Sequence, residues 1–385
     1  MGASRFIADK LRFKGGLAMA AIAVSFLVMI IAVAVSSGFR KAVRDGVSAV
    51  GGDIQITPLD QNFAGETEPL PAVLSCDGRI RALPGVEDIV PVVYRAGIVK
   101  SGELIHGVLV KGVPERTDSA LCVSIPSRLS EITGLGAGDD LVTYFIGETV
   151  KVRKFHITNV HPSLLDVGET LIVEARLPDM QRLNGWGEDQ ASALEVILAP
   201  AARDRAEETA SEIGMFLLQS GDEREQDLYA ASAPRRYPQL FDWLDLLDFN
   251  VVFVLILMTL VAGFNMISGL LILLFRNIPT IGTLKTLGMT DRAIGHVFLR
   301  VSAVLVFKGM LIGNAAALLF CLIQGTTHLI RLNPVNYFVS YVPVSVNLPA
   351  ILCADAAAFA VILLLLWIPT LFIARVDPAD TVRMK

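Results

Sequence analysis

The sequence is poor in charge and in histidine: Asp, Glu, Lys and Arg make up 18% of its 385 residues, and there are five histidines. Soluble globular domains run near a quarter charged. A chain this short of ionised groups, with 53% hydrophobic residues, holds more apolar surface than a water-facing exterior carries, which excludes an ordinary soluble enzyme. Cysteine is scarce too. Cys76, Cys122, Cys321 and Cys353 make no disulfide framework. Catalytic signatures are missing: there is no G-x-x-x-x-G-K-[ST] loop to cradle the phosphates of ATP, no H-E-x-x-H helix and no G-x-S-x-G elbow. His106, His156, His161, His296 and His328 are scattered. The nearest pair, His156 and His161, has no carboxylate or cysteine at metal-ligand spacing. The expectation is a non-catalytic chain that binds no metal and no cofactor of its own.

What the sequence does have is apolar runs long enough to cross a bilayer, about 20 residues each. The first, Leu17 to Val35, carries no charge; the others run from about Val251 to Phe275, Val297 to Ile323 and Leu348 to Ala374. Four transmembrane helices are expected, at 17–40, 251–275, 297–323 and 348–374. A signal peptide is the alternative for the first, because Arg5, Lys10, Arg12 and Lys14 precede it and Ala32-Val33-Ala34 imitates a cleavage site. Its length exceeds the 7–15-residue core of such peptides.

Orientation follows from the basic flanks. The N-terminal segment 1–16, the 276–296 loop with Arg276, Lys285 and Arg292, and the tail 375–385 with Arg375, Arg383 and Lys385 are expected to be cytoplasmic. The 324–347 loop, with one Arg and no Lys, is then external. So is the long segment 41–238, which carries most of the acidic residues. Cys76 and Cys122 share that oxidising side, and a disulfide between them is left open.

Within 41–238, β-type runs recur at Asp53–Thr57, Val90–Val99, Leu104–Val113, Asp140–Ile146, Val150–Val160, Thr170–Val173 and Leu194–Leu198. Helical patterns lie between them at Ser127–Thr133, Leu177–Asn184 and Ala202–Leu218. This reads as an α+β domain, with two lobes. Segment 239–250 sets Asp242, Asp245 and Asp248 against Leu240, Phe241, Leu244, Leu247 and Phe249 at helical spacing, which predicts an interfacial helix with Trp243 at headgroup level. Such a helix is either a lateral gate for a lipid-bearing substrate or a plain anchor. Candidate gate residues are Met29, Phe39, Phe241, Leu244 and Phe249.

Ionisable and polar side chains inside the spans are few, and a charge at bilayer depth costs about 2.5–3.5 kcal/mol on insertion scales. They are Lys308, Asp355, Asn265 and Asn314. A Lys308–Asp355 contact is one reading, and snorkelling or helix packing the other; the two asparagines suit helix packing.

Between the second and third spans, Ile281, Leu284, Leu287 and Gly288 fall at helical spacing, giving a short amphipathic helix able to dock on a soluble partner. Here the chain resembles the FtsX/MacB-like permease superfamily of ABC systems, and within it the lipoprotein-releasing Lol-type permeases. Thr283-Leu284-Lys285-Thr286-Leu287-Gly288-Met289 is similar to the family's coupling helix, and Asn265-Met266-Ile267-Ser268 to its second-span motif. Asn336 to Val344 (NYFVSYVPV) resembles the loop typical of Lol-type members. Ser37-Gly38-Phe39, Gly52-Asp53-Ile54-Gln55-Ile56, Ile368-Pro369-Thr370 and Arg375-Val376-Asp377-Pro378-Ala379 match further family positions. Where many members carry Arg-Arg-x-Glu before the coupling helix, this chain has Asn277-Ile278-Pro279-Thr280.

The resemblance implies a membrane α-helical fold of four spans, one before and three after an inserted extracytoplasmic α+β domain, in the bacterial inner membrane. It implies a second permease chain, identical or paralogous, and two copies of a separate ABC ATPase that uses ATP and Mg. That ATPase would push on Arg276, Ile281, Leu284, Lys285, Leu287, Gly288 and Met289. The Lol-type likeness adds a lipoprotein substrate and a periplasmic carrier. An FtsX-like mechanotransmitter acting on a cell-wall hydrolase and a MacB-like exporter of another amphipathic substrate are the alternatives.

Overall fold

A computed structural model describes residues 16–59, 68–101, 104–114, 119–147, 149–161, 171–333, 337 and 339–370. The basic N-terminal residues, the 375–385 tail and the motif residues Asn336 and Phe338 lie outside the described residues. In chain order the elements are α1 (Gly16–Gly51), β1 (Ile54–Pro58), β2 (Leu70–Pro71), α2 (Asp77–Arg81), β3 (Val86–Ser101), β4 (Leu104–Val113), β5 (Cys122–Pro126), α3 (Ser127–Thr133) and β6 (Asp140–Phe145). There follow β7 (Lys151–His161), β8 (Leu171–Arg176), α4 (Leu177–Asn184), β9 (Gln190–Ala191), β10 (Ala193–Leu198), α5 (Ala206–Leu218), α6 (Glu223–Gln226), β11 (Leu228–Ser232) and α7 (Ala233–Arg236). The chain ends with α8 (Pro238–Arg276), α9 (Ile278–Thr286), α10 (Asp291–Thr327) and α11 (Leu348–Thr370).

Two units divide the chain: one holds 1–41, 243–331 and 341–385, the other 42–242 and 332–340. In the first unit α1, α8, α10 and α11 are each long and apolar enough to cross a membrane. The helices bury one stripe each. On α11 that stripe is Ile351, Asp355, Ala358, Ile362 and Leu366, spaced three or four apart. It meets Ile22, Phe26 and Met29 of α1, Met266 and Leu270 of α8, and Phe298 and Val306 of α10. Lipid tails are as apolar as leucine, so close packing rather than water exclusion holds such helices together. The α1–α10 contact shows how close. A Cβ on Gly313 would overlap the Ala23 carbonyl, and one on Gly309 would sit 2.7 Å from Ile22 Cγ2.

α1 has 36 residues and α8 has 39, about 54 and 58 Å at 1.5 Å per residue, well beyond the roughly 30 Å hydrocarbon core. The separate interfacial helix expected at 239–250 is therefore not a separate element. Its acids recur at i, i+3 and i+6 without Gly or Pro, so α8 runs through it unbroken into the span.

In the second unit, nine strands form one sheet in the order β11-β1-β10-β3-β4-β8-β5-β7-β6, and β6 also pairs with β3. Strands β3, β4, β8, β5, β7 and β6 thus close into a ring. The 16-residue β3 serves both the ring and the open part β11-β1-β10. Each part has its own core. Inside the ring Val93, Val110, Val123, Leu141, Phe145, Phe155 and Ile157 pack together, with Phe145 and Phe155 edge to face at 6.3 Å. Beneath the open part, Ile54, Ile56, Leu194 and Val196 of the strands meet Ala206, Ala210, Ile213 and Leu217 of α5. The two expected lobes are two cores sharing one sheet. Cys76 and Cys122 are both buried and both free, so the disulfide left open by the sequence is not formed.

Candidate functional site

Four clusters hold the side chains that function would use. The first is the turn between α8 and α10. Asn277 precedes α9 and Pro279 sits in its first turn, where a missing N–H costs nothing. The helix ends in a left-handed residue, Gly288 at φ +84°. The Met289 N–H donates to the Leu284 carbonyl at 3.0 Å and the Gly288 N–H to Lys285 at 2.9 Å, a Schellman cap. Ile281 is buried, and Leu284 and Met289 pack beside it on the helix bundle. Lys285 Nζ bonds Asp291 at 2.9 Å. The seven expected coupling residues therefore divide: Ile281, Leu284, Lys285 and Met289 face the bundle or a neighbouring helix, while Arg276, Leu287 and Gly288 are exposed. Leu287, 78% exposed, joins Pro279, Thr280, Thr283 and Thr286 on the open surface.

The second cluster lies within the spans. Asp355 is buried, and Asn314 Nδ2 donates to its Oδ2 at 2.5 Å. The remaining carboxylate and amide oxygens have no partner among the described residues. The Lys308–Asp355 contact, one of the two readings of the sequence, is not made among the described residues: Lys308 lies on the exposed face of α10, as Asn265 does on α8. Asn314 links α10 to α11 through Asp355, whereas Asn265 is exposed on α8.

The third cluster collars the end of α1. Phe39 is buried and meets the Trp243 ring edge to face at 5.7 Å. Arg40 pairs with Asp248 and stands 4.0 Å from Asp245, and the Ser36 hydroxyl donates to Asp248. Gly38 lies against the loop before α11, so that a Cβ there would overlap the Pro343 carbonyl; the Ser345 N–H donates to Ala34 O at 3.0 Å. His328 and Tyr341 stack at 3.9 Å behind the loop. Two stretches singled out separately in the sequence, Ser37–Phe39 and Tyr341–Val344, are thus one contact. A cavity of about 350 Å³ lies between α1, α8 and α11, lined by Met29, Val252, Ile256, Thr259 and Ala358 among others. Thr259 Oγ1, the hydroxyl in that lining, is already engaged by Leu255 O at 2.7 Å. Of the candidate gate residues Met29 lines this cavity and Phe39 and Leu244 are buried, while Phe241 is half-buried and Phe249 exposed.

The fourth cluster, in the second unit, was not foreseen. The last carbonyls of a helix have no intrahelical partner, and at α1 a buried cation supplies one. Lys111 Nζ lies 2.9 Å from Val50 O, 3.4 Å from Ala49 O and 2.9 Å from Glu195 Oε2. Glu195 also accepts from the Tyr94 hydroxyl. Burial first, and then the Glu195 charge, push the Tyr94 phenol well above its ordinary value, so it remains a donor. Arg236, two residues before α8, donates to Gly52 O and Gln55 Oε1. Lys111 and Glu195 sit in alternating strands and look like surface positions in sequence. No signal short of knowing the strand pairing would have joined them.

Among the described residues no three His, Cys, Asp or Glu side chains gather as a metal site. His156 Nδ1 is 3.3 Å from Asp140, and His161 Nδ1 2.8 Å from Ser124 Oγ.

The chain is similar to the solved periplasmic region of MacB from Actinobacillus actinomycetemcomitans, at 9% identity and TM-score 0.32, over 51% of this chain and 95% of that one. It is also similar to the extracellular domain of the noncanonic ABC-type transporter YknZ from Gram-positive bacteria, at 12% identity and TM-score 0.30, over 46% and 99%. A third likeness is to a permease-protein domain from Porphyromonas gingivalis, at 16% and 0.27, over 46% and 86%. The family model for the FtsX-like permease C-terminal domain matches residues 252–378, the stretch that holds most of α8, then α9 with its Schellman cap, α10 and α11. Residues 252–378, about a third of the chain, thus match the FtsX-like permease C-terminal domain, and α1, α8, α10 and α11 are each long and apolar enough to cross a membrane.

Proposed function

We propose that this permease extracts lipoproteins from the outer leaflet of the bacterial inner membrane and passes them to a periplasmic carrier, driven by a separate ATPase. The apolar cavity carries the reading. Its volume falls in the range of ligand sites, and it opens beside the exposed Val252 and Ile256, within a few turns of the Phe39–Trp243 collar. Acyl chains entering there leave lipid for an equally apolar wall. Removing them altogether costs about 0.8 kcal/mol per CH₂, which calls for coupled work. Without a phosphate-binding loop of its own, the chain draws that work from an ATPase, two copies of which dock on the exposed face of α9 and use ATP and Mg there. The exposed polar groups at span depth, Asn265, Ser268 and Lys308, support a second permease chain, identical or paralogous, covering those faces.

A second reading, an FtsX-like mechanotransmitter, is favoured by the Lys111 and Arg236 ties, which bind the end of α1 and the approach to α8 to one sheet. One experiment separates the two. The tagged chain is purified gently from its native membrane and everything bound is identified by mass spectrometry. An ATPase with acylated lipoproteins is expected; an ATPase with a cell-wall hydrolase replaces the first reading with the second, and no ATPase at all overturns both.

A further inference from the structure

A cleft of about 550 Å³ opens where α10 begins and α11 ends, walled by Arg292, His296, Leu299, Trp367 and Thr370. Its polar rim is cationic. Arg292 and His296 line it, and Arg300 follows one turn further along the same side of α10, outside the lining; all three are exposed. Asp291 also reaches the cleft, but its charge is met by Lys285 at 2.9 Å. Among the described residues no carboxylate pairs with either arginine. His296 Nδ1 faces the Arg292 carbonyl at 2.7 Å, so it carries the proton and Nε2 is left for a ligand hydroxyl. The floor is apolar: Leu299 lies between the two arginines in sequence, and Trp367 sits one turn inside the end of α11.

We propose that this cleft binds the headgroup of an anionic phospholipid of the cytoplasmic leaflet. The basic flanks set this end of the bundle on the cytoplasmic side, and a basic pocket between spans on that side suits an anionic lipid headgroup. The phosphate meets the Arg292 guanidinium, which matches its oxygens bidentately, and Arg300 adds positive charge just outside the lining. Trp367 takes the interfacial level where indoles concentrate, and the acyl chains run down past Leu299. A soluble phosphate would use the rim but leave the apolar floor wet. The proposal needs the transmembrane reading and the cytoplasmic placement of this end, not the lipoprotein one.

Trp186, Trp243 and Trp367 are the chain's only tryptophans, so W186F/W243F leaves Trp367 as sole reporter in the full chain. Its fluorescence is titrated with bromine-labelled phosphatidylglycerol and phosphatidylcholine in mixed micelles. Phosphatidylglycerol is expected to quench at lower mole fraction. R292Q and R300Q should each weaken that preference about fivefold, the near-surface worth of one cation, and together abolish it. R276Q, on the exposed end of α8 and not among the residues lining the cleft, should leave it unchanged and shows that general surface charge is not the cause. Equal quenching by both lipids in the parent chain, or an undiminished preference in R292Q/R300Q, overturns the proposal. Loss of the preference on adding millimolar inorganic phosphate at constant ionic strength reassigns the cleft to a soluble phosphate ligand. ATPase co-purification from the same membranes is unaffected by these outcomes, so failure here is distinguishable from failure of the transport reading.

Discussion

Lys111 and Glu195 illustrate how a buried charge is tolerated at the residue scale. Each has a side chain about 5% exposed, and each is costly to bury alone, yet the pair is completed by the Tyr94 hydroxyl and two helix-end carbonyls. Removing one partner strands the other. Lys111→Met should therefore destabilise the sheet by about 3–5 kcal/mol, whereas Lys111→Met with Glu195→Met should recover most of the loss. Urea unfolding followed by far-ultraviolet circular dichroism reads both, and equal losses in single and double variants would count against the pairing. Glu225 gives a pH signature. Burial raises its pKa, but hydrogen bonds from the Ser220 and Ser75 hydroxyls and the Ser75 amide more than offset this and hold it below the usual glutamate range. A folded pKa below the unfolded one, about 4.3, means the stabilisation is full above that unfolded value and drains away as pH falls through the folded one. Glu225→Gln should lower the melting temperature at pH 7 and narrow its gap to the parent on acidification. A gap that widens toward low pH would refute the assignment.

At the scale of elements, the collar depends on one glycine. With Gly38→Val the side chain must displace the Pro343 backbone, and the Ser345–Ala34 hydrogen bond goes with it. Hydrogen exchange at the Ser345 amide should accelerate by about tenfold or more while α10 and α11 exchange as before; an unchanged Ser345 rate would show that the loop is held elsewhere. Much of this level could be read from residue order. α3 and α4 fall at the expected Ser127–Thr133 and Leu177–Asn184, because their apolar spacing and following glycines are local. β8 alternates buried and half-buried side chains, and such alternation is visible in sequence. Strand β5 is different: all five residues are buried, so it has no alternation to betray it. β11 does bury every second residue, but these are Leu228, Ala230 and Ser232, too weakly apolar a set to mark a strand in sequence. Segment 239–250 misled for the opposite reason, since a drop in hydropathy marks where a helix leaves lipid and not where it ends. The site divides along the same line: α9 was legible because its cap and spacing are local, whereas Gly38 against Pro343 and Lys111 against Glu195 join residues far apart in sequence.

For the whole molecule, the question is which groups face another chain. The expected contact set on α9 mixed two roles that geometry separates. Lys285 holds Asp291, and Leu284 and Met289 pack on the bundle, so substituting any of them loosens the turn itself; Leu287 is 78% exposed and packs in none of the apolar clusters of the described residues. Leu287→Asp should leave the melting temperature within about 1 °C of the parent, as surface changes do. The same change should cut ATPase recovered in pull-downs about tenfold or more, the scale of an apolar anchor lost from an interface centre. Lys285→Glu should lower both stability and recovery, and Lys285→Glu with Asp291→Lys should restore both, since the swapped pair can reform across the same 2.9 Å contact. Undiminished ATPase recovery with Leu287→Asp would move the docking face off α9. If the swap instead restored stability without recovery, Lys285 would itself touch the ATPase, and the face would extend around the helix towards α10.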